Sequence, residues 1–160
     1  MSQTARISLV VNGEAVSREV PVRSNLVDFL RNDLELTGSH VGCEHGVCGA
    51  CTLEVDGQMV RGCLMLAVQA DGAQVTTVEG LADSGRGAQL RAAFHDHNAL
   101  QCGYCTPGML ASALEYVEAG GPADRGAIRE HISGNYCRCT GYQSIVEAIC
   151  DVINAQEVTS

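Results

Sequence analysis

The chain has 160 residues, of which 46% are hydrophobic and 18% charged, a balance typical of a globular protein with one large domain or two small ones. Its formal net charge is −9 and all of its basic residues are arginine, so no basic patch favours nucleic-acid binding. No apolar run is long enough to span a bilayer, and the first six residues lack the design of a secretory signal. We therefore expect a cytoplasmic protein, unless a partner subunit carries an export signal for both.

The first half of the chain predicts a small α+β unit with one helix on a sheet. Apolar residues alternate over 6–11, which predicts a half-buried strand, and the turn Asn12-Gly13 leads into a second strand over 15–20. Asn25 can cap a helix whose apolar residues, up to Leu34, recur at helical spacing. The remaining elements are, in chain order, a glycine-rich loop over 38–51, a hairpin over 52–63 and a last strand over 75–78.

After residue 79 the hydrophobic period becomes helical. A connector over 80–87 is rich in Gly, Asp and Ser, and Thr106-Pro107 marks a helix start because proline suits the first helical turn. The four predicted helices lie around 90–97, from Thr106 to Gly120, over 127–133 and over 145–153. We predict two domains, residues 1–79 and 80–160, of which the second is an all-α four-helix bundle.

The glycine-rich loop and the hairpin after it carry four cysteines, spaced C-x4-C-x2-C with eleven residues before the last: Cys43, Cys48, Cys51 and Cys63. This is the spacing of plant-type [2Fe–2S] ligands. Glycines at 42, 46 and 49 allow the backbone to wrap closely around a cluster, and loop N–H groups can donate to the sulfurs. A zinc site is the alternative, although zinc favours C-x2-C pairs. His45 could suggest a Rieske cluster, in which two histidines bind one iron, but four cysteines already complete the site.

Two further cysteine pairs lie in breaks between predicted helices: Cys102 and Cys105, then Cys137 and Cys139. Cys105 directly precedes a helix start, where the helix N-terminus can stabilise thiolate charge. Two pairs alone would also suit zinc, but C-x-C is a less usual zinc motif and the neighbouring plant-type loop favours a second cluster. Cys150 falls on the apolar side of the last helix, and we expect it to be a small buried residue rather than a ligand.

Three segments together resemble the iron–sulfur component of the xanthine oxidase family of molybdenum hydroxylases. They are VGCEHGVCGACT over 41–52, QCGYCTPG over 101–108 and GNYCRCTGY over 134–142. The resemblance covers nearly the whole chain. It implies a β-grasp, plant-ferredoxin-like first domain and a helical second domain peculiar to the family. It also implies that the eight cysteines named above bind two [2Fe–2S] clusters.

The resemblance implies partners as well. A large molybdopterin subunit and a medium FAD subunit would form a heterotrimer with this chain, which can dimerise to a hexamer. Electrons would pass from the molybdopterin through the C-terminal and then the N-terminal cluster to FAD. The substrate site would lie on another subunit, so no catalytic residue is expected here. Gln101 and Cys139 would lie beside the pterin. Two other interpretations stay open: a free-standing two-cluster ferredoxin, and a structural metal-binding module that holds zinc.

Overall fold

The computed structural model describes residues 3–159, so residues 1, 2 and 160, at the outer ends of the two predicted domains, lie outside it. Within the described residues there are five strands: β1 (Thr4–Val11), β2 (Glu14–Pro21), β3 (Thr52–Val55), β4 (Gln58–Arg61) and β5 (Gln74–Thr76). They form one mixed sheet in the order β2-β1-β5-β3-β4. β1 pairs in parallel with β5, and the other neighbouring strands are antiparallel.

The first hairpin agrees with its sequence signals. Asn12 and Gly13 form the turn with φ of 52° and 85°, the left-handed conformation that asparagine and glycine tolerate best. Ile7, Leu9 and Val11 of β1 are buried, as their alternation predicts. Local turn chemistry and the hydrophobic pattern therefore fix the register of the two strands together.

One helix, α1 (Leu26–Asn32), covers this sheet. It begins at Asn25, whose side chain accepts a backbone N–H hydrogen bond of 2.8 Å in the first turn. Phe29 and Leu30 are fully buried and join the strand residues in one hydrophobic core. Leu34, expected on the same helix, lies beyond its end. The predicted unit of one helix on a sheet is thus present, with a shorter helix.

Five more α-helices follow within the described residues: α2 (Val78–Asp83), α3 (Ala88–Asp96), α4 (Thr106–Glu118), α5 (Arg125–His131) and α6 (Gln143–Thr159). The predicted four-helix bundle is therefore not confirmed, because α2 adds a fifth helix to the four expected ones. The prediction of a connector over 80–87 was wrong for residues 80–83, which belong to α2. Glycine disfavours an isolated helix here, but buried Leu81 packs into the helical core, and tertiary packing overrides propensity.

Two hydrophobic cores meet across an ion-pair cluster. One core joins the sheet to α1, and the other joins α2 to α6. Between them, Arg86 donates to both carboxylate oxygens of Glu54 in β3, at 3.1 and 2.9 Å, and to both of Glu118 in α4. Glu54 is only 8% exposed, so Arg86 balances a charge that would be costly if unpaired. None of the helices in residues 3–159 combines the length and the apolar character needed to cross a membrane.

Candidate metal centres

The first candidate centre is built by the loop between α1 and β3 together with the residues after β4. The loop carries Cys43, Cys48 and Cys51, and Cys63 follows β4. Left-handed backbone conformations, which bend this loop, occur at Glu44, Gly46 and Gly49, with φ of 55°, 76° and 74°. A Cβ on Gly42 would lie 3.1 Å from the Cys48 sulfur, so the backbone passes close to the thiols. The glycines therefore serve the wrapping that the sequence predicts.

The sulfurs of the first centre pair two and two. The side chain of Cys43 interacts with that of Cys48, and the side chain of Cys51 interacts with that of Cys63. The backbone N–H of His45, 3.4 Å from the Cys43 sulfur, is the main cause that lowers the pKa of Cys43 to about 6. Burial raises the pKa of Cys51 to about 11. Loop N–H groups thus favour a thiolate at one end of the centre, while burial disfavours it at the other.

The second candidate centre is assembled from two loops that are distant in sequence. Cys102 and Cys105 precede α4, whereas Cys137 and Cys139 lie between α5 and α6. The sulfurs of Cys102 and Cys139 are 3.5 Å apart, and the side chain of Cys105 interacts with that of Cys137. The packing of helices, rather than one loop, brings Cys102 to Cys139 and Cys105 to Cys137, so these thiols too pair two and two.

The thiols of the second centre also differ in their electrostatics. Burial, reinforced by the neighbouring Cys137, raises the pKa of Cys105 to about 12. Burial opposes ionisation of Cys137 too, but hydrogen bonds from Thr140, including its hydroxyl at 3.1 Å, outweigh burial and lower the pKa of Cys137. Each centre therefore contains one thiol whose pKa is raised and one whose pKa is lowered.

The paired arrangement fits a [2Fe–2S] cluster, whose two irons together take four cysteine thiolates, two on each iron. A single zinc ion would instead draw its four ligands around one point. Within residues 3–159, no three or more His, Cys, Asp or Glu side chains are grouped so that they could hold a metal ion. The hydroxyl of Thr106, next to Cys105, is buried without a hydrogen-bond partner among the described residues, which leaves a donor beside the second centre.

The ninth cysteine and the loop histidine lie outside the two sets of paired sulfurs. Cys150 is 4% exposed on α6, and its sulfur contacts the carbonyl oxygen of Ala123 at 3.9 Å. It belongs to the helical core, as the sequence predicts. His45 is exposed, and its Nδ1 hydrogen-bonds to the carbonyl oxygen of Cys43.

Gln101 lies at the outer edge of the second centre. Its side-chain Nε2 donates to the carbonyl oxygen of Cys139 at 3.1 Å, and both residues are exposed. The structure therefore brings together the two residues that the resemblance associates with a pterin. Their role at a pterin stays a prediction.

Residues that the sequence analysis did not single out connect the two centres. The Tyr104 hydroxyl donates to the Val41 carbonyl at 2.6 Å, and the Tyr136 N–H donates to the Cys48 carbonyl at 2.8 Å. Buried Asn135 hydrogen-bonds across the same junction. Both tyrosines and Asn135 stand inside the cysteine motifs, and that position was their only signal in the sequence.

Two family models match the chain. Residues 9–82 match the 2Fe-2S iron-sulfur cluster binding domain, and residues 77–150 match the [2Fe-2S] binding domain. Both family models describe cluster-binding domains. The first match contains the first candidate centre, and the second match contains the second. The class of protein is therefore one with two [2Fe–2S]-binding domains.

Individual relatives show which family within this class the chain resembles. The chain is 54% identical over 155 residues to caffeine dehydrogenase subunit gamma of Pseudomonas sp. (strain CBB1), covering 95% of this chain and 93% of the relative. It is 52% identical over 150 residues to the nicotine 6-hydroxylase small subunit of Paenarthrobacter nicotinovorans, covering 94% and 90%. The crystal structure of quinoline 2-oxidoreductase from Pseudomonas putida 86 matches with a TM-score of 0.86 and 46% identity, covering 99% and 98% of the two chains.

The chain belongs to the small iron–sulfur subunits of the xanthine oxidase family of molybdenum hydroxylases. The resemblance inferred from its cysteine motifs is thereby confirmed. Members of this group are the electron-transferring, non-catalytic components of oxidoreductase complexes, and that is the role of this chain.

Proposed function

We propose that this chain holds two [2Fe–2S] clusters and relays electrons from a molybdopterin in a large partner subunit to FAD in a medium partner subunit. The ligands of the first cluster would be Cys43, Cys48, Cys51 and Cys63. Those of the second would be Cys102, Cys105, Cys137 and Cys139. The observation that carries the proposal is the gathering of eight of the nine cysteines into two sets, each paired two and two. A cluster held in each set would take up and release one electron at a time.

Each cluster would have a domain of its own. Residues 1–79 would form the β-grasp, plant-ferredoxin-like domain, and residues 80–160 the helical domain with α3–α6 as its four-helix bundle. Two separate hydrophobic cores support this division, because the buried residues of each core all come from one side of the proposed boundary. Helix α2 begins at Val78, just before the proposed boundary, and packs on the helical side.

The metal content of the purified chain is the direct test of this proposal. We expect about four irons and four acid-labile sulfides per chain, since each [2Fe–2S] cluster contributes two of each. Reduction should give two distinguishable paramagnetic signals, because one centre lies in a loop against the sheet and the other among helices. A colourless protein that contains zinc would contradict the proposal and favour a structural metal-binding module.

The second centre would face the molybdopterin through Gln101 and Cys139. Both residues are exposed, so a partner subunit can reach them, and the hydrogen bond between them holds the Gln101 side chain in place. A glutamine amide can both donate and accept hydrogen bonds, which suits the amide-like edge of a pterin. Cys139 would then connect that edge to the second cluster by a short route.

Replacement of Gln101 by alanine in the assembled complex tests this orientation. We expect slower reduction of the clusters by substrate, with iron content unchanged, because the contact to the pterin is lost while every cysteine remains. Gln58→Ala, at an exposed position of β4, is the matched control. Unchanged reduction kinetics and unchanged retention of the pterin in Gln101→Ala would count against a role for Gln101.

The proposed assembly is a cytoplasmic heterotrimer with one large molybdopterin subunit and one medium FAD subunit, which can dimerise to a hexamer. Support comes from the relatives, which are described as a gamma subunit and a small subunit. Coexpression with the neighbouring genes, followed by mass measurement of the purified complex and cell fractionation, tests it. A chain that still purifies alone when the neighbouring genes are coexpressed would favour the free-standing ferredoxin instead.

A nitrogen heterocycle is the substrate class that we propose for the complex. Caffeine, nicotine and quinoline, the compounds for which three relatives are described, all belong to this class. The test compares the reduction of the clusters in the assembled complex by these three compounds and by a simple aldehyde. Reduction by the aldehyde alone would contradict the assignment.

A further inference from the structure

A buried amide lies where the two centres meet. Asn135 is 2% exposed and precedes Cys137 by two residues. Its Nδ2 donates to the Gly49 carbonyl at 3.1 Å, and its Oδ1 accepts from the Ser112 hydroxyl at 2.9 Å. One side chain thus ties the first cysteine loop to helix α4 and to the loop of the second centre. A buried side-chain network of this kind fixes geometry, because each unmade bond would leave a desolvated polar group.

Arg61, at the end of β4, reinforces the same junction. Its guanidinium donates to the Gly134 carbonyl at 3.0 Å and to the hydroxyl of Thr52. That hydroxyl in turn donates to the Gly49 carbonyl at 2.6 Å. Hydrogen bonds from a charged donor are stronger than neutral ones. The turn that carries Asn135 is therefore anchored to the sheet as well as to α4.

A direct link between the two sets of ligands runs beside this network. The Tyr136 N–H donates to the Cys48 carbonyl at 2.8 Å. Cys48 belongs to the first set, and Tyr136 directly precedes Cys137 of the second. A covalent path interrupted by this one hydrogen bond therefore joins the sulfur of Cys48 to the sulfur of Cys137. Electron tunnelling is faster along such a path than across a gap, and its rate falls steeply with distance.

The backbones at the junction are in close contact. A Cβ on Gly49 would lie 2.5 Å from the Gly134 carbonyl oxygen, and a Cβ on Gly108 would lie 2.1 Å from the Gly49 carbonyl oxygen. At Gly49 and Gly108 the backbone of the first loop therefore meets the backbone of the turn before Cys137 and of α4 directly. The spacing of the two centres is thus set by backbone contact and by the hydrogen bonds of Asn135.

We propose that Asn135 is a positioning residue that fixes the separation of the two clusters and so sets the rate at which they exchange electrons. The inference rests on the proposed function, because it requires both clusters to be present. Asn135 acts through its two neighbours in the link: Gly49, which follows Cys48, and Tyr136, which precedes Cys137. Without the amide, the Gly49 carbonyl loses a hydrogen-bond donor. The neighbouring hydrogen bond between the Tyr136 N–H and the Cys48 carbonyl is then held less firmly.

The test compares Asn135→Ala with Asn154→Ala, the same change at an exposed position of α6. In the fully reduced protein, two nearby paramagnetic clusters split each other's magnetic resonance signals by an amount that depends on their distance. We expect Asn135→Ala to keep the full iron and sulfide content, to lose part of this splitting and to slow the exchange of an injected electron between the clusters. Asn154→Ala should leave all of these unchanged.

Ser112→Ala provides a second variant, because it removes the shorter of two hydrogen bonds to the Asn135 oxygen and leaves the amide in place. We expect a smaller loss of splitting in the same direction, and this variant decides the matter if Asn135→Ala loses iron. Unchanged splitting and exchange in an iron-replete Asn135→Ala would overturn the inference. Loss of iron from both variants would also overturn it, because the network would then build a centre rather than space two of them. Absence of iron from the unsubstituted chain would instead be a failure of the proposed function.

Discussion

The two candidate centres have similar thiols but are built in different ways. The first takes three of its four cysteines from one loop, over residues 43–51, whereas the second joins Cys102 to Cys139 across 37 positions. Residues with a left-handed backbone conformation, together with backbone N–H groups of the loop, shape the first centre. The second exists only where α4 meets the segment between α5 and α6. A local centre depends on backbone conformation, and a non-local centre depends on the packing of the core that brings its parts together.

The largest effect that separates the two centres should come from replacing one proposed ligand in each. Cys48→Ser and Cys105→Ser should each remove about half of the iron, about two of four atoms per chain, because one cluster loses a thiolate and the other keeps all four. Iron analysis and electron paramagnetic resonance of each variant measure this loss. We expect the two variants to lose different signals. Loss of both signals from one substitution would show that the centres are not independent.

A smaller effect should follow from adding one methyl group at the contact between the two centres. In Gly108→Ala the new Cβ would lie 2.1 Å from the Gly49 carbonyl oxygen, and backbone on both sides limits relaxation. We expect the free energy of unfolding of the cluster-loaded protein to fall by about 1–3 kcal/mol. Denaturant unfolding followed by circular dichroism measures it.

Gly87→Ala is the matched control for this change, because its Cβ would meet its nearest atom at 3.8 Å, an ordinary contact. We expect its unfolding free energy to stay within about 1 kcal/mol of that of the unsubstituted protein. Equal destabilisation by both substitutions would show that the loss of unfolding free energy is a general effect of alanine and does not come from the contact between Gly108 and Gly49.

The difference between local and non-local construction also explains what the sequence could predict. The turn Asn12-Gly13, the cap Asn25 and the helix start at Thr106-Pro107 are local signals, and the structure agrees with each. The spacing of Cys43, Cys48 and Cys51 is likewise local, so the chemistry of the first centre could be inferred without a fold.

The rest of the molecule could not be predicted because it depends on contacts made only in the folded chain. Helix α2 forms because Leu81 is buried against other helices, which its own glycine and aspartate residues do not indicate. The approach of Cys102 to Cys139 needs the packing of α4 against the segment between α5 and α6, so the sequence favoured a second cluster only through the neighbouring plant-type loop and the resemblance. The contact of Asn135 with Gly49 joins positions 86 residues apart, and no pattern in the sequence announces it.

The smallest effect on the centres should come from the cysteine that belongs to neither. Cys150 is buried in the helical core, where burial raises the pKa of its thiol and keeps it neutral. Cys150→Ala leaves a small cavity, so we expect a loss of about 1–2 kcal/mol in unfolding free energy. Iron content and both paramagnetic signals should be unchanged, because all eight paired thiols remain. Cys150→Ser should likewise keep both clusters. Loss of iron from either variant would mean that the ninth cysteine is a ligand and that the proposed ligand set is wrong.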